Sequence, residues 1–543
     1  MSTLTEAVVA RTEQRCRGGQ ALVDALARHG VDAVFGIPGT HNLPIYAALG
    51  AAGIRHVLPR HEQGAGYAAD GYARVSGKPG VVITTTGPAI LNAAAAAAQA
   101  YSDSIPVLFI APGLPLHHPS LGNGYLHEVK DQFRAIDSIV GHAQRVTTVE
   151  EIPLAVAQCF AAMTSARPRP AYLEIPLDLL DLEATVAPVA PFIGSPPRPR
   201  PESVRAAVQL LQGATRPLLI VGGGASGAAA EVAEIATTLQ APVITTANGK
   251  GVLPETHPLS LGAGVHHPTI KELVATSDVI VAVGTELAPS DWWWGPISQQ
   301  STVIRIDVDP TAAATNICPA VALIGDAAET LDALTAGLGP ARTGGTERAT
   351  EWRRLLRLDA QREGHPYVEL CAALDAALDD SAVIAADSAM ACYYGALSNL
   401  PLHQPRSFLY PTGVGTLGYG LPAAIGAKIA APQRQVVALL GDGGVMFTVA
   451  ELAAAAQARL PIPVVIVDNG GYGEIRNEMA DRGDTVHAVD LASPDFAALA
   501  QSLGCHGLFL DSPSGLTDAV EAALHADRPT VIHLRASGAS ELG

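Results

Sequence analysis

At 543 residues the chain is too long for a single hydrophobic core and is expected to divide into about three domains. Its hydrophobic fraction of 48% against 16% charged residues describes a globular protein, and a formal charge of −18 argues against nucleic acid or an anionic membrane as a main partner. The 6 cysteines are scattered without a CxxC pair and read as reduced, mostly buried thiols of a cytoplasmic protein.

Residues 1–18 carry charges throughout and lack the apolar core of a signal peptide, so a flexible N-terminus is expected there. The alanine run Ala93–Ala98 is the most membrane-like stretch, and it is too short for a span of about 20 residues.

The first domain, expected over residues 19–186, opens with a helix over Ala21–His29 and a strand over Ala33–Phe35 that ends in Gly36-Ile37-Pro38-Gly39-Thr40. A helix through Leu43–Leu49 and a strand over Arg55–Leu58 lead into Arg60-His61-Glu62-Gln63-Gly64. That places the Glu62 carboxylate at a strand-to-helix junction, where α/β domains collect their chemistry. A plainer explanation also holds, because an acidic side chain favours a helix N-terminus. Val81–Asn92 reads as a strand, a Gly-Pro turn and a helix start; Ala93–Tyr101 is small enough for close packing, and Val107–Ala111 is another buried strand. The loop that follows holds His117, His118, His127 and Glu128, whose spacing matches no standard zinc pattern and reads as an active-site loop. Ala171–Ile175 is expected to be the domain's last strand, and the proline-rich residues 187–202 a semi-rigid linker.

The middle domain, residues 203–336, begins with a helix over Ser203–Leu211 and a strand over Pro217–Val221. Gly222-Gly223-Gly224-Ala225-Ser226-Gly227 follows, formally a dinucleotide fingerprint in its proper context. The next strand, Pro242–Thr246, ends without the acidic ribose ligand, so a structural α/β domain is the better reading. In GTELAPSDWWWG, the three consecutive tryptophans either pack a core or, beside Glu286 and Asp291, form an aromatic and acidic wall for a guanidinium.

After a second linker, residues 337–350, the third domain is expected over 351–543. A strand over Ala382–Ala386 leads into Asp387-Ser388, and PTGVGTLGYG leads into a helix over Leu421–Ile429. Its centre is a βαβ unit: a strand over Val436–Leu440 runs into Gly441-Asp442-Gly443-Gly444, a helix follows through Thr448–Ala458, and a strand over Pro463–Val467 ends at Asp468-Asn469-Gly470-Gly471. Glycines at a helix N-terminus let backbone N–H groups approach a diphosphate. Asp442 and Asn469 add a carboxylate and an amide oxygen at neighbouring strand ends, donors that suit a hard ion such as Mg²⁺. Strands alternating with helices throughout give an α/β fold of three doubly wound parallel sheets.

GDGG followed by Asn469 resembles the diphosphate and metal motif of thiamine-diphosphate-dependent enzymes, and RHEQGAGYAADGYARVSGKPGV resembles the pyrimidine-binding domain of their acetolactate-synthase and 2-oxo-acid-decarboxylase branch. The resemblance covers Gln20–Leu534 and names the three domains pyrimidine-binding, central Rossmann-like and diphosphate-binding. It implies thiamine diphosphate and Mg²⁺ as cofactors, with Asp442, the Asn469 side chain and the Gly471 carbonyl holding the metal. It implies that Glu62 bonds the aminopyrimidine ring nitrogen, that Leu417 is the wedge beneath the cofactor's two rings and that the Gly415 carbonyl accepts from the 4′-amino group. Ser388, Gly441, Gly443, Gly444 and Tyr472 fall at the diphosphate side, and Asp468 departs from the family's usual Asn-Asn. LHHPSLGNG and LHEVKDQ resemble the histidine-bearing loops of decarboxylases and synthases, which implies substrate-carboxylate binding or proton donation by His117, His118 and His127.

Within the family, RHEQGAGYAADGYARVSGKPG, the Asp-Trp pair of GTELAPSDWWWG and PTGVGTLGYGLPA have counterparts in the 5-guanidino-2-oxopentanoate (2-ketoarginine) decarboxylases. The reading is a decarboxylase that converts a cationic or polar 2-oxo acid, 5-guanidino-2-oxopentanoate among them, to an aldehyde and CO₂, with Thr40, Glu286, Asp291 and Trp292 as substrate candidates. The alternatives are an acetolactate-synthase-like carboligase and, more remotely, a nucleotide-binding oxidoreductase. GTELAPSDWWWG departs from the Arg- and Asp-rich pattern of the flavin-binding members, which argues against FAD. The resemblance implies a homodimer at the least, with homotetramers common among relatives.

Overall fold

The computed structural model describes residues 13–118, 122–192, 194–293, 295 and 301–536. Of the expected flexible N-terminus, residues 1–12 lie outside that range, as does Trp294 of the tryptophan triplet. The chain forms two compact units, the first running to Ser195 without Arg74–Ser76, which group with the second from Pro196 onward.

The first unit holds a six-stranded parallel sheet in the order Arg55–Val57, Ala33–Gly36, Gly80–Ile83, Val107–Gly113, Ala171–Pro176 and His142–Arg145. Helices on both faces bury the central strands completely, which is why Val107–Gly113 reads as a near-continuous apolar run and not as an alternation. Helix Glu62–Ser76 packs tightly on helix Pro88–Ser102: a Cβ on Gly66 would lie 2.3 Å from that of Ala96. The alanine run exists to permit this approach. Two expectations are corrected here. Ala171–Pro176 is not the last strand, because Glu183–Val186 follows it and pairs antiparallel with Gln14–Arg17. That pairing also gives the end of the expected flexible segment a place in a two-stranded ribbon.

The second unit holds two further six-stranded parallel sheets. The first is ordered Ser260–Ala263, Val243–Thr245, Pro217–Val221, Val279–Val283, Thr302–Asp307, Val321–Ile324, which is 3-2-1-4-5-6 in chain order. That is the doubly wound dinucleotide-fold order. Its glycine turn is explained by packing: Gly222 N–H donates to Val283, Gly224 N–H donates to Gly284, and a Cβ on Gly222 would lie 2.4 Å from the Gly284 carbonyl oxygen.

The last sheet runs Phe408–Leu409, Val383–Ala386, Val436–Gly441, Pro463–Asp468, Thr530–Arg535, His506–Leu510. Its order, 2-1-3-4-6-5, is that of the sheet in the first unit, so the same plan recurs without a repeat in the sequence. The linker expected over 337–350 is shorter than that, because helix Gly345–Glu363 takes its second half. The helix expected over Thr448–Ala458 is shorter, Glu451–Gln457, and a separate four-residue helix, Asp442–Val445, precedes it.

Candidate active site

Strands Val436–Gly441 and Pro463–Asp468 lie side by side and parallel, with Gly441 opposite Val467. Their ends therefore deliver Asp442 and Asn469 to one place, and the Asn469 N–H donates to Asp442 Oδ1 at 3.3 Å. The Asn469 amide oxygen stands 2.8 Å from the Gly471 carbonyl oxygen and 3.1 Å from Asp442 Oδ1. Two arrangements satisfy that geometry: the amide turned so that its NH₂ donates to both, or a cation among three oxygens. Ligands about 2.1 Å from a Mg²⁺ centre and at right angles stand about 3.0 Å apart, which is the length of both edges that meet at the Asn469 oxygen. The residues fit the ion.

Gly471 completes the trio through its backbone. Its φ of 134° and a would-be Cβ 2.2 Å from the Val489 carbonyl oxygen exclude a side chain. Tyr472 N–H donates to Val489 and Leu491 N–H to Gly470, so the segment 489–491 clamps the loop. Gly443 lies beneath the Tyr472 ring, with 2.9 Å between its would-be Cβ and the ring carbons.

Asp442 is buried, and that burial, followed by the neighbouring Asp468 charge, pushes its carboxyl up to about 6. Asp468 is itself anchored: its Oδ2 lies 3.0 Å from His533 Nε2, and its Oδ1 accepts from Gly470 N–H at 3.0 Å and from Ser493 Oγ at 2.9 Å. Burial acts to raise its carboxyl, but these donors outweigh it and hold the group below the usual range. His533 is packed between Phe496 and Phe509, each ring centroid 5.1 Å away. The acid that replaces the family's asparagine thus has a buried histidine partner.

Asp387, at the end of strand Val383–Ala386, is fully buried and ties the glycine loop to the sheet. Gly418 N–H lies 3.1 and 3.0 Å from its two carboxylate oxygens and Ser388 N–H 2.8 Å from one of them. Burial pushes this carboxyl up to about 6 against the pull of those amides. The loop so held presents Gly415, at φ 66° with nothing within 4 Å of a would-be Cβ, and the half-buried Leu417. Thr448 Oγ1 donates to the Gly418 carbonyl at 2.8 Å and closes it from the other side. A Cβ on Gly444 would lie 3.0 Å from Asp387 Oδ2, so the carboxylate occupies the space a side chain would need.

In the first unit Glu62 is the first residue of its helix, and His61 caps the turn by accepting from Gln63 N–H. Glu62 Oε2 accepts from Asn92 Nδ2 at 2.9 Å, which leaves Oε1 for another donor. Burial, and then the Glu62 charge, raise the Tyr46 hydroxyl's pKa. His127 sits at φ 64° with its carbonyl oxygen 2.1 Å from a would-be Cβ on Gly87, so Gly87 must stay glycine for the histidine loop to settle. The His127 ring lies 5.0 Å from that of His41, and His118 lies 5.2 Å from Tyr125. One ring nitrogen each of His41, His118 and His127 is buried without a partner, whereas His117 is exposed. Thr40, beside His41, is exposed at the start of the turn Thr40–Asn42.

Glu286 and Trp292 follow strand Val279–Val283 of the second unit's first sheet. Glu286 lies near the fully buried Arg305 and counteracts the burial that lowers that guanidinium's pKa. Trp292 is buried in the central core, and Asp291 is half-buried in the turn before it. Trp293 is the exposed tryptophan, its ring 4.1 Å from His266 and 5.8 Å from Tyr394. Residue reading gave no role to His41 and His533, named Asp387 only as a turn residue, and took Trp293 only as one of three consecutive tryptophans. For Asp387 a signal existed, an acid directly after a buried strand at the switch point of a doubly wound sheet.

Known families match the chain in three segments: the thiamine pyrophosphate enzyme N-terminal TPP binding domain over residues 16–135, the central domain over 204–334 and the C-terminal TPP binding domain over 389–534. The chain is 42% identical over 503 residues to the probable 2-ketoarginine decarboxylase AruI of Pseudomonas aeruginosa, covering 90% of this chain and 88% of that one. The chain belongs to the thiamine pyrophosphate enzymes. Other members of the family are similar over nearly the whole length: the acetolactate synthase large subunit of Parasynechococcus marenigrum at 35% identity (98% of this chain, 90% of that one) and the acetolactate synthase of Arthrospira platensis at 33% (96% and 94%). No helix among the described residues of this thiamine pyrophosphate enzyme is long and apolar enough to cross a membrane.

Proposed function

We propose that this thiamine pyrophosphate enzyme is a Mg²⁺-dependent, non-oxidative 2-oxo-acid decarboxylase whose substrate is 5-guanidino-2-oxopentanoate. The observation that carries the reading is 42% identity over 90% of the chain to a protein named for that substrate, together with a metal trio of the right dimensions. Thiamine diphosphate, when bound, supplies the electron sink on which a 2-oxo acid loses CO₂. Asp442, Asn469 and the Gly471 carbonyl hold Mg²⁺ against the diphosphate. Glycines 441, 443 and 444, with Ser388 and Tyr472, shape the diphosphate cradle, and Leu417 and the Gly415 carbonyl fix the bend between the cofactor's rings. Glu62 holds a proton at its free oxygen against the pyrimidine nitrogen while Asn92 fixes the other oxygen. His118 and His127, with unpartnered ring nitrogens, are the residues placed to bind the substrate carboxylate or return a proton to the product.

A carboligase is the second reading, supported by acetolactate synthases at 33 and 35% identity. The central domain carries no FAD in our reading, since its glycine turn is spent on packing against Gly284. The enzyme is cytoplasmic and works as a homodimer or homotetramer, the family arrangement that lets one copy's Glu62 half serve another's Asp442 half. Product analysis with thiamine diphosphate and Mg²⁺ tests the reading, with 5-guanidino-2-oxopentanoate, pyruvate and benzoylformate offered in parallel. CO₂ with 4-guanidinobutanal from the first alone is expected. Acetolactate from pyruvate would transfer the assignment to carboligation.

A further inference from the structure

Five side chains beside the metal loop belong to no part of the cofactor machinery. Helix Gly473–Asp481 starts immediately after that loop, and its Gly473 packs directly on the Asn469 amide, 2.6 Å from a would-be Cβ. The next residue is Glu474. Its Oε1 accepts from the Tyr394 hydroxyl at 2.7 Å, and no residue among those described pairs with its Oε2. Tyr394 stands in the π-helical turn Ala391–Ala396, a wide turn of a kind that collects at functional sites. This turn sets Tyr393 and Tyr394 edge to face, 4.6 Å apart.

Trp293 closes the group from the central domain. Its indole N–H donates to the Ser290 carbonyl at 3.2 Å, one face lies against His266, Tyr394 meets it edge to face, and 49% of it stays exposed. Glu363 lies behind it, 2.9 Å from His266 Nε2, and the charges of Glu474 and Glu363 both act on the Tyr394 hydroxyl. Aromatic faces beside carboxylates are the chemistry of cation recognition. A free carboxylate oxygen beside a flat ring favours a planar guanidinium over a compact ammonium.

We propose that Glu474, oriented by Tyr394 and walled by Trp293, recognises the guanidinium at the far end of the 2-oxo acid, with Glu363, held by His266, adding negative charge from behind. This rests on the proposed decarboxylation of a cationic 2-oxo acid and moves its recognition from Glu286 and Asp291 to residues adjoining the metal loop. It accounts for three features that the cofactor leaves unexplained: the exposed tryptophan, the paired tyrosines and an acid in the turn after the metal ligands.

The test compares 5-guanidino-2-oxopentanoate with 5-ureido-2-oxopentanoate, a neutral substrate of the same length and nearly the same shape, on cofactor-loaded wild type, Glu474→Gln, Trp293→Ala and Asp291→Asn. Calorimetric binding of 4-guanidinobutanoate to each protein serves as a second readout. Glu474→Gln is expected to lower the guanidino-to-ureido ratio of kcat/KM by at least about tenfold and to weaken the guanidinium probe in parallel. Tyr394→Phe, which frees Oε1, is expected to lower the ratio less than Glu474→Gln does. An unchanged ratio in Glu474→Gln, or a ratio that falls only in Asp291→Asn, overturns this recognition by Glu474. If the wild type binds the probe through Glu474 but releases no CO₂ from the guanidino acid, the recognition stands and the decarboxylase reading falls. Absence of both turnover and probe binding overturns the two together.

Discussion

Asp387 shows how one side chain can serve a site without touching its ligand. A carboxylate with no exposed surface, ringed by amides of the loop that bears Leu417, positions that loop and carries a desolvation cost in doing so. Its carboxyl is pushed up to about 6, above the value near 3.9 of an unfolded aspartate. Between those two values the folded chain binds more protons than the unfolded one, so this group's contribution to stability is fully present below about pH 4 and is lost as pH rises through about 6. The difference of roughly two units amounts to about 3 kcal/mol. In thermal unfolding of the cofactor-free protein from pH 4.5 to 7.5, Asp387→Asn is therefore expected to lack a decline that the wild type shows. Parallel curves would mean that the buried carboxyl titrates in the ordinary range.

Among elements, the loop Asp468–Tyr472 is the one on whose backbone the proposed metal site depends. Gly471→Ala puts a methyl group 2.2 Å from the Val489 carbonyl at a φ of 134°, so the loop must leave its clamp and carry the Gly471 carbonyl away from Asp442. The expected result is a loss of Mg²⁺-dependent thiamine diphosphate affinity of about tenfold or more, read by calorimetry, with the far-ultraviolet dichroism of the fold retained. Wild-type affinity would remove the Gly471 carbonyl from the ligand set. Much of this loop was legible in the sequence, because the ligands flank one βαβ unit and sequence spacing fixes their meeting. The Glu62 junction was legible for the same local reason. The Asp468–His533 pair was not, since its partners are 65 residues apart and meet only because two strands neighbour each other in the sheet. Nor was the meeting of Trp293 with Tyr394 and Glu474, which joins two domains. The ribbon Gln14–Arg17 with Glu183–Val186 escaped notice because four polar-rich residues carry no period of their own.

At the scale of the whole molecule, each unit by itself leaves apolar side chains in water around its share of the site. Leu43, Leu91 and Leu126, beside His41, Asn92 and His127, are 54%, 40% and 56% exposed. Val414, Met446, Phe447 and Ile475, beside Gly415, the Asp442 turn and Glu474, are 49%, 46%, 54% and 45% exposed. Scattered leucines need no explanation on a protein surface, but apolar residues beside polar machinery are of the kind that a partner chain covers, and we propose that role for these. A second copy of this chain is the occupant that the proposed function requires, since that function needs Glu62 and Asp442 to act on one cofactor. Sedimentation is accordingly expected to find at least twice the chain mass. Phe447→Glu places a charge in such a patch and is expected to weaken association by about 2 kcal/mol or more, roughly thirtyfold. Activity should then fall on dilution and recover at high protein concentration, while the melting of the subunit's own sheets changes little. A Phe447→Glu protein that sediments at the chain mass and keeps full activity would show that one copy assembles the site alone.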